Sequence, residues 1–313
     1  MRARWALLSA GLLVQWREVD LKSKPPELLD VSPKGTVPVL TCVDGTVLEE
    51  SLEIMKWALG QSDPFELIPI SSCEKFVEIN RLIVQNDQEF KQMLDRYKYT
   101  DRYPGERKEE WEQSGLAILE DWSTKIEKSG WLVGDSITLA DIAIWPFVRQ
   151  WYNTDPVRFA ANVSLESLFK WLERFTKSVL FDRLMIKSMT WDSSIKEKVF
   201  PADASVVRRD QPLFHLALNS DWQEAKLQGV YSVSTLGMQL KQVGFIHASW
   251  EHQVRETYDR FYSDFAEVTL LTIDPSCLAI PLRADAAVTG EFFPHLYGPL
   301  PISAVVKSCP YPP

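Results

Sequence analysis

All four histidines of the chain, His215, His247, His252 and His295, fall in its last third, and Ser249, Gln253 and Tyr297 lie among them. An imidazole donates or accepts a proton near neutral pH. His215, His247 and His295, gathered in one cleft with Ser249 and Tyr297, would therefore suit recognition of a ribose, a phosphate or an amide. His252 stands five residues from His247, a poor spacing for one helix face. Asp285 and Glu291 are the acids nearby in sequence, the first on a short side chain and the second against an aromatic pair. No ligand spacing fixes a metal site, so none is expected. The cysteines (Cys42, Cys73, Cys277, Cys309) are scattered, without a C-x-x-C pair, which reads as a reduced, cytoplasmic chain. Cys42 falls inside a strand pattern and reads as core.

A second group of residues lies near the N-terminus. Val37-Pro38 is an X-Pro bond between a turn and a strand, a place where a cis proline would expose backbone groups. Glu50-Ser51 opens a helix, whose unpaired N–H groups and partial positive charge suit a carboxylate. Lys34, in PKGTVP, can steady another carboxylate. Each feature also has an ordinary reading: VPVL is common strand sequence, and E-S is a common helix cap.

The elements that must position these residues fall into three units. Residues 1–62 alternate helix and strand: a helix over 2–11, strands over 14–21, 37–43 and 46–49, with Asp44-Gly45 as a tight hairpin turn, and a helix over 51–59. Residues 72–192 are helical by pattern, and Thr138 with Asp141 forms a capping box flanked by Ile137 and Ile142. The polar stretch 193–210 reads as a linker. Residues 211–309 mix strands and helices, an α+β pattern. Composition is that of an ordinary globular protein, 45% hydrophobic and 25% charged, with a net charge of −9. Residues 1–210 hold 28 basic and 33 acidic side chains and residues 211–313 hold 6 and 10, so no basic face points to nucleic acid. Arg2 and Arg4 before WALLSAGLLV imitate a signal peptide, but a strand follows without a small-residue cleavage motif, and no long apolar run suggests a membrane span.

The order helix–strand–TVPVLTCVDGTVLEES, followed by a helical unit with TLAD, resembles the glutathione S-transferase family over about 190 residues. The resemblance implies a thioredoxin-like domain over 1–62 and an all-α domain over 72–192. It implies glutathione as cosubstrate, a small electrophilic or disulfide substrate, and a homodimer. By resemblance Val37 pairs through its backbone with the cysteinyl part of glutathione beside Pro38. Glu50 and Ser51 hold the γ-glutamyl end, and Lys34 another carboxylate. In that family a central strand and a thiol or hydroxyl nucleophile precede the first helix, so the expectation is that Met1 is an internal methionine or, alternatively, that this half is a degenerate, non-catalytic scaffold; the catalytic residue stays unassigned. The C-terminal pattern (FHLAL, GFIHASWEHQV, FPHLYGPL) resembles domain of unknown function 952 over 211–309. That family is grouped with ADP-ribosyltransferase-like folds, which implies NAD as an alternative ligand.

Overall fold

The computed structural model describes residues 1–105, 107–194 and 197–312. The chain divides into two compact units, Met1–Trp5 with Glu66–Met185 and Ala6–Phe65 with Ile186–Pro313. The N-terminal elements are α1 (Arg2–Ser9), β1 (Val14–Trp16), α2 (Pro26–Val31), β2 (Leu40–Thr41), β3 (Val47–Leu48) and α3 (Ser51–Gln61). The strands are shorter than their hydrophobic runs suggested. The β2–β3 hairpin turns through Gly45 at φ +86, with Thr46 N donating to Asp44 Oδ1 at 2.9 Å. That positive φ is what the Asp-Gly pair supplies. Helix α3 begins with Glu50 as N-cap, and Glu53 closes the box by accepting from Glu50 N at 3.3 Å.

The helical unit contains α4 (Cys73–Gln85), α5 (Lys91–Lys98), α6 (Lys108–Ser129), α7 (Leu139–Tyr152), α8 (Pro156–Ala161), α9 (Glu166–Thr176) and α10 (Val179–Met185), with a π-helical turn at Asn86–Phe90. Apolar periodicity explains its packing: α9 buries Leu168, Trp171, Leu172 and Phe175, one stripe at helical spacing. Trp145 stacks on Phe175 with ring centroids 5.3 Å apart, and Trp5 meets Trp145 edge-on at 5.2 Å. The carboxylate of Asp141 is fully buried. Its Oδ2 accepts from Thr138 N and Oγ1 at 2.9 and 2.8 Å, and its Oδ1 accepts from Leu132 N and Trp171 Nε1 at 3.0 and 2.9 Å. The N-cap motif is thus also a four-donor anchor. Arg2 is buried as well, with a bidentate pair to Asp87 at 2.6 and 3.1 Å and a bond from Nε to Ala143 O at 2.6 Å.

The remaining elements belong with residues 6–65. They are β4 (Lys198–Phe200), β5 (Ala204–Val206), β6 (Leu213–Leu218), α11 (Asn219–Gln228), β7 (Val230–Tyr231), β8 (Val233–Thr235), β9 (Met238–Gln239), α12 (Leu240–Val243), β10 (Ile246–His247), α13 (Val254–Phe261), β11 (Val268–Ile273), β12 (Leu282–Ala286), β13 (Phe292–Leu296), β14 (Leu300–Pro301) and β15 (Val305–Tyr311). Two antiparallel sheets, β10-β13-β12-β5 and β15-β11-β6, share a core that includes Leu213, Trp222, Ile246, Leu271, Ala284 and Leu296. The expected linker over 193–210 carries β4 and β5; its residues 195–196 lie outside the described set. β4 pairs antiparallel with β1, Val14 opposite Phe200 and Trp16 opposite Lys198. So β1, expected beside a family-type central strand, is partnered here by a strand far downstream in sequence.

Candidate functional site

Both groups of site residues read from the sequence lie in the unit formed by residues 6–65 and 186–313. In the N-terminal group, the Val37–Pro38 peptide bond is cis and Val37 is exposed. Ser51 is the first residue of α3, where the backbone donors lack intrahelical partners. Lys34 Nζ stands 3.5 Å from Glu49 Oε2 and 3.8 Å from Glu50 Oε1, so two carboxylates already share its charge. Ser32 Oγ donates to Glu49 Oε1 at 2.6 Å. That bond first, and Lys34 second, hold the Glu49 carboxyl below its ordinary range. Cys42, on the neighbouring hairpin, is not an activated thiol, because burial and the charge of Asp44 push it up.

The C-terminal group is built by strand register. His247 on β10 faces His295 on β13, and His295 faces Arg283 on β12. Residues directly opposite across strands share a face, and so do residues two apart along a strand. That rule places Asp285 beside Arg283, brings in Tyr297 just beyond the end of β13, and brings in Phe245 just before β10. The contacts agree. Asp285 Oδ1 accepts from Arg283 Nε at 2.9 Å, and its Oδ2 accepts from Tyr297 OH at 2.6 Å and from His295 Nδ1 at 2.9 Å. Arg283 also donates to the Tyr297 hydroxyl. The side chains of Arg283 and Asp285 are 1% and 8% exposed, a desolvated ion pair whose remaining lone pairs are used. Phe245 stacks on His295 at 4.0 Å, and the rings of His247 and His295 meet edge-on at 5.1 Å.

The protonation states follow from partners and burial. Ser234 Oγ and Thr235 Oγ1 lie 3.0 and 2.8 Å from His247 Nδ1. Burial first, then the neighbouring His295 and His215, pushes His247 down to about 3. It is a neutral imidazole whose Nδ1 lies within hydrogen-bond reach of both hydroxyls. His215 is fully buried and pushed down to about 4 by burial. Its Nδ1 donates to His247 O at 2.6 Å, and its Nε2 accepts from Tyr231 OH at 3.0 Å.

The histidine set named from sequence therefore separates. His247, His295 and Tyr297 share one face. His215 lies on the other sheet and serves by gripping the backbone of His247. Ser249 is turned elsewhere, with its hydroxyl 3.3 Å from Thr257 Oγ1 and its backbone bridged to Phe214. Glu291 accepts from Gln253 Nε2 at 2.6 Å, and His252 stacks on Trp250. Arg283, Phe245, Ser234 and Thr235 were not singled out from the sequence. The signal for Arg283 and Asp285 was their period of two in LRADA, which puts opposite charges on one face. Among the described residues, no group of three or more His, Cys, Asp or Glu is placed to hold a metal ion, and no helix is long and apolar enough to cross a membrane.

Residues 1–59 match the family model described as glutathione S-transferase, N-terminal domain, and residues 105–175 the corresponding C-terminal domain. Residues 216–308 match the model described as protein of unknown function (DUF952). Protein CC0527 from Caulobacter crescentus is similar at 31% identity, covering 32% of this chain and 85% of that one, with a TM-score of 0.30. A glutathione S-transferase-I bound with lactoylglutathione covers 58% of this chain and 91% of its own, at 20% identity and a TM-score of 0.50. Glutathione transferase F7 from Populus trichocarpa gives the same coverage at 17% identity and a TM-score of 0.50; at these identities both speak to the fold alone. No curated protein matches the chain. The chain thus carries glutathione S-transferase N- and C-terminal domains over residues 1–59 and 105–175, and a DUF952 domain over residues 216–308.

Proposed function

We propose that the N-terminal half binds glutathione. The Val37 backbone beside Pro38 takes the cysteinyl unit, and the start of α3 with Ser51 takes the γ-glutamyl carboxylate. The observation that carries this reading is the capped helix start at Ser51, inside a segment matched to the transferase N-terminal domain. A helix N-terminus with an adjacent hydroxyl favours a carboxylate through oriented N–H donors. Lys34 contributes by releasing Glu49 or Glu50 when the ligand arrives. Thiol transfer or glutathione-dependent reduction, on a small electrophile or disulfide, follows where a nucleophile is presented at the N-terminus of α1. A homodimer in the reducing cytoplasm completes the proposal, and four unpaired cysteines suit that compartment.

Calorimetric titration of the full chain with reduced glutathione tests the binding step. Ser51→Ala is expected to weaken binding roughly 10- to 100-fold, the loss of one hydrogen bond to a charged group. No heat at ~10 mM glutathione, or an unchanged affinity in the variant, would overturn the reading.

A second reading gives the C-terminal face a nucleotide such as NAD. The convergence of His247, His295 and Tyr297 favours it, whereas the pairing of Arg283 with Asp285 leaves that guanidinium little charge to offer a phosphate. The family models and structures above do not support an ADP-ribosyltransferase-like assignment. NAD titration of the full chain with and without His247→Ala decides it: binding weakened by the substitution supports the reading, and absence of binding at ~1 mM removes it.

A further inference from the structure

We infer that the histidine-bearing face of the C-terminal domain is completed by residues 6–65 of the same compact unit, which dock on it through a polar latch and position Tyr297 and, through it, His295. Four contacts make the latch. Arg283, already bound to Asp285 and Tyr297, donates its Nη1 to Leu12 O at 3.3 Å. Gly11, at φ +71, lies against the Tyr297 ring so closely that a Cβ there would overlap it. Ser62, the C-cap of α3, donates its hydroxyl to Tyr297 O. Gly244, just before Phe245, is packed against the Phe65 ring with the same lack of room. Two backbone ends within residues 6–65, the turn after α1 and the end of α3, thus grip the residue that hydrogen-bonds Asp285.

A second set of contacts, along the strap that leads into the domain, is independent of the latch. β4 pairs antiparallel with β1, and Phe200, 2% exposed, meets Trp16 edge-on at 5.5 Å. Glu197 accepts from Gln15 Nε2 at 2.5 Å and Arg17 Nη2 at 3.0 Å. Trp191 N donates to Glu18 O at 2.6 Å, and its ring lies under the Arg17 guanidinium at 4.6 Å. The strap is apolar on one side and ion-paired on the other, the signature of a built junction rather than a free linker.

Leu12, Gly11 and Ser62 are therefore positioning residues for a site whose chemical groups lie elsewhere in sequence. Histidine ring spectra of the full chain, labelled with nitrogen-15, test this. Ser62→Ala is expected to move the His295 ring signals while those of exposed His252 stay in place, and Ser62→Thr is expected to restore them. Gly11→Val should move His295 further. Hydrogen exchange on the unaltered chain supplies the second measurement. The amides of Val14–Trp16 and Lys198–Phe200 are expected to be protected within about tenfold of one another. Unmoved His295 signals in Ser62→Ala, or β4 amides exchanging at the rate of open chain while β11 stays protected, would overturn the inference.

Discussion

Replacing Asp285 by Asn tests whether the buried polar face is held by its charge. The carboxylate accepts three donors, Arg283 Nε, His295 Nδ1 and Tyr297 OH, at 2.6 to 2.9 Å. An amide of the same shape keeps one acceptor and turns an NH2 toward either the guanidinium or the histidine–tyrosine pair, so at least one donor is stranded. Arg283 would remain 1% exposed with its counter-ion gone. Removing one member of a buried pair costs about 3–5 kcal/mol, and several times less at an exposed pair. Asp259→Asn is the control, because Arg255 and Asp259 pair at 2.9 Å with 70% and 51% exposure. Urea unfolding followed by tryptophan fluorescence should give a loss of about 3 kcal/mol or more for Asp285→Asn, against about 0.5 or less for Asp259→Asn. Combining Asp285→Asn with Arg283→Met should recover a good part of the loss, since no charge is then stranded. Equal effects at positions 259 and 285 would refute the reasoning.

Two further outcomes follow from buried titratable groups. His215 and His247 are pushed down to about 4 and about 3, so the unfolded chain binds their protons first as pH falls from neutrality. Their contribution is fully present above about pH 6.5 and is lost as pH falls through that value toward the depressed values, so each should cost roughly 2 kcal/mol by pH 5. Urea midpoints measured between pH 7 and pH 5 should fall, and His215→Gln should flatten the slope; a pH-independent midpoint would contradict the assignment. Asp141→Ala strands the four donors it accepts in the helical unit and opens the capping box, and should destabilise that unit by about 3–5 kcal/mol. A thermal melt of the variant that matches the unaltered chain would show that Asp141 is dispensable.

Local chemistry made much of this fold legible. Asp44-Gly45 can hardly do anything but turn a hairpin, and Thr138 with Asp141 marks a helix start by residue type alone. The ES motif marks the start of α3 because helix capping is decided within a few residues. What stayed hidden depends on register between distant strands. Nothing in Lys198–Phe200 announces that its partner is Val14–Trp16, since a three-residue strand carries too little pattern to name its neighbour. Arg283 and Asp285 read as an ordinary charged alternation until the pairing with β13 turns their face inward. The histidines were gathered correctly by neighbourhood but not by sheet: His215 reached the cluster only as a grip on a backbone carbonyl. Ser249 missed it because the chain bends toward Phe214 just after β10.

The antiparallel pairing of β1 with β4 also sets an order of events during synthesis. At about 5–20 residues per second, roughly 10–40 s separate the emergence of β1 from that of its partner roughly 180 residues later. Throughout that interval the ribosome carries a chain in which β1 has not yet met β4, and an unpaired strand edge is the kind of surface that pairs with other nascent chains. The helical unit, rich in local contacts, can fold completely in the meantime. Arrest of translation between residues 185 and 198 would therefore yield a folded helical unit carrying an N-terminal segment still waiting for its strand.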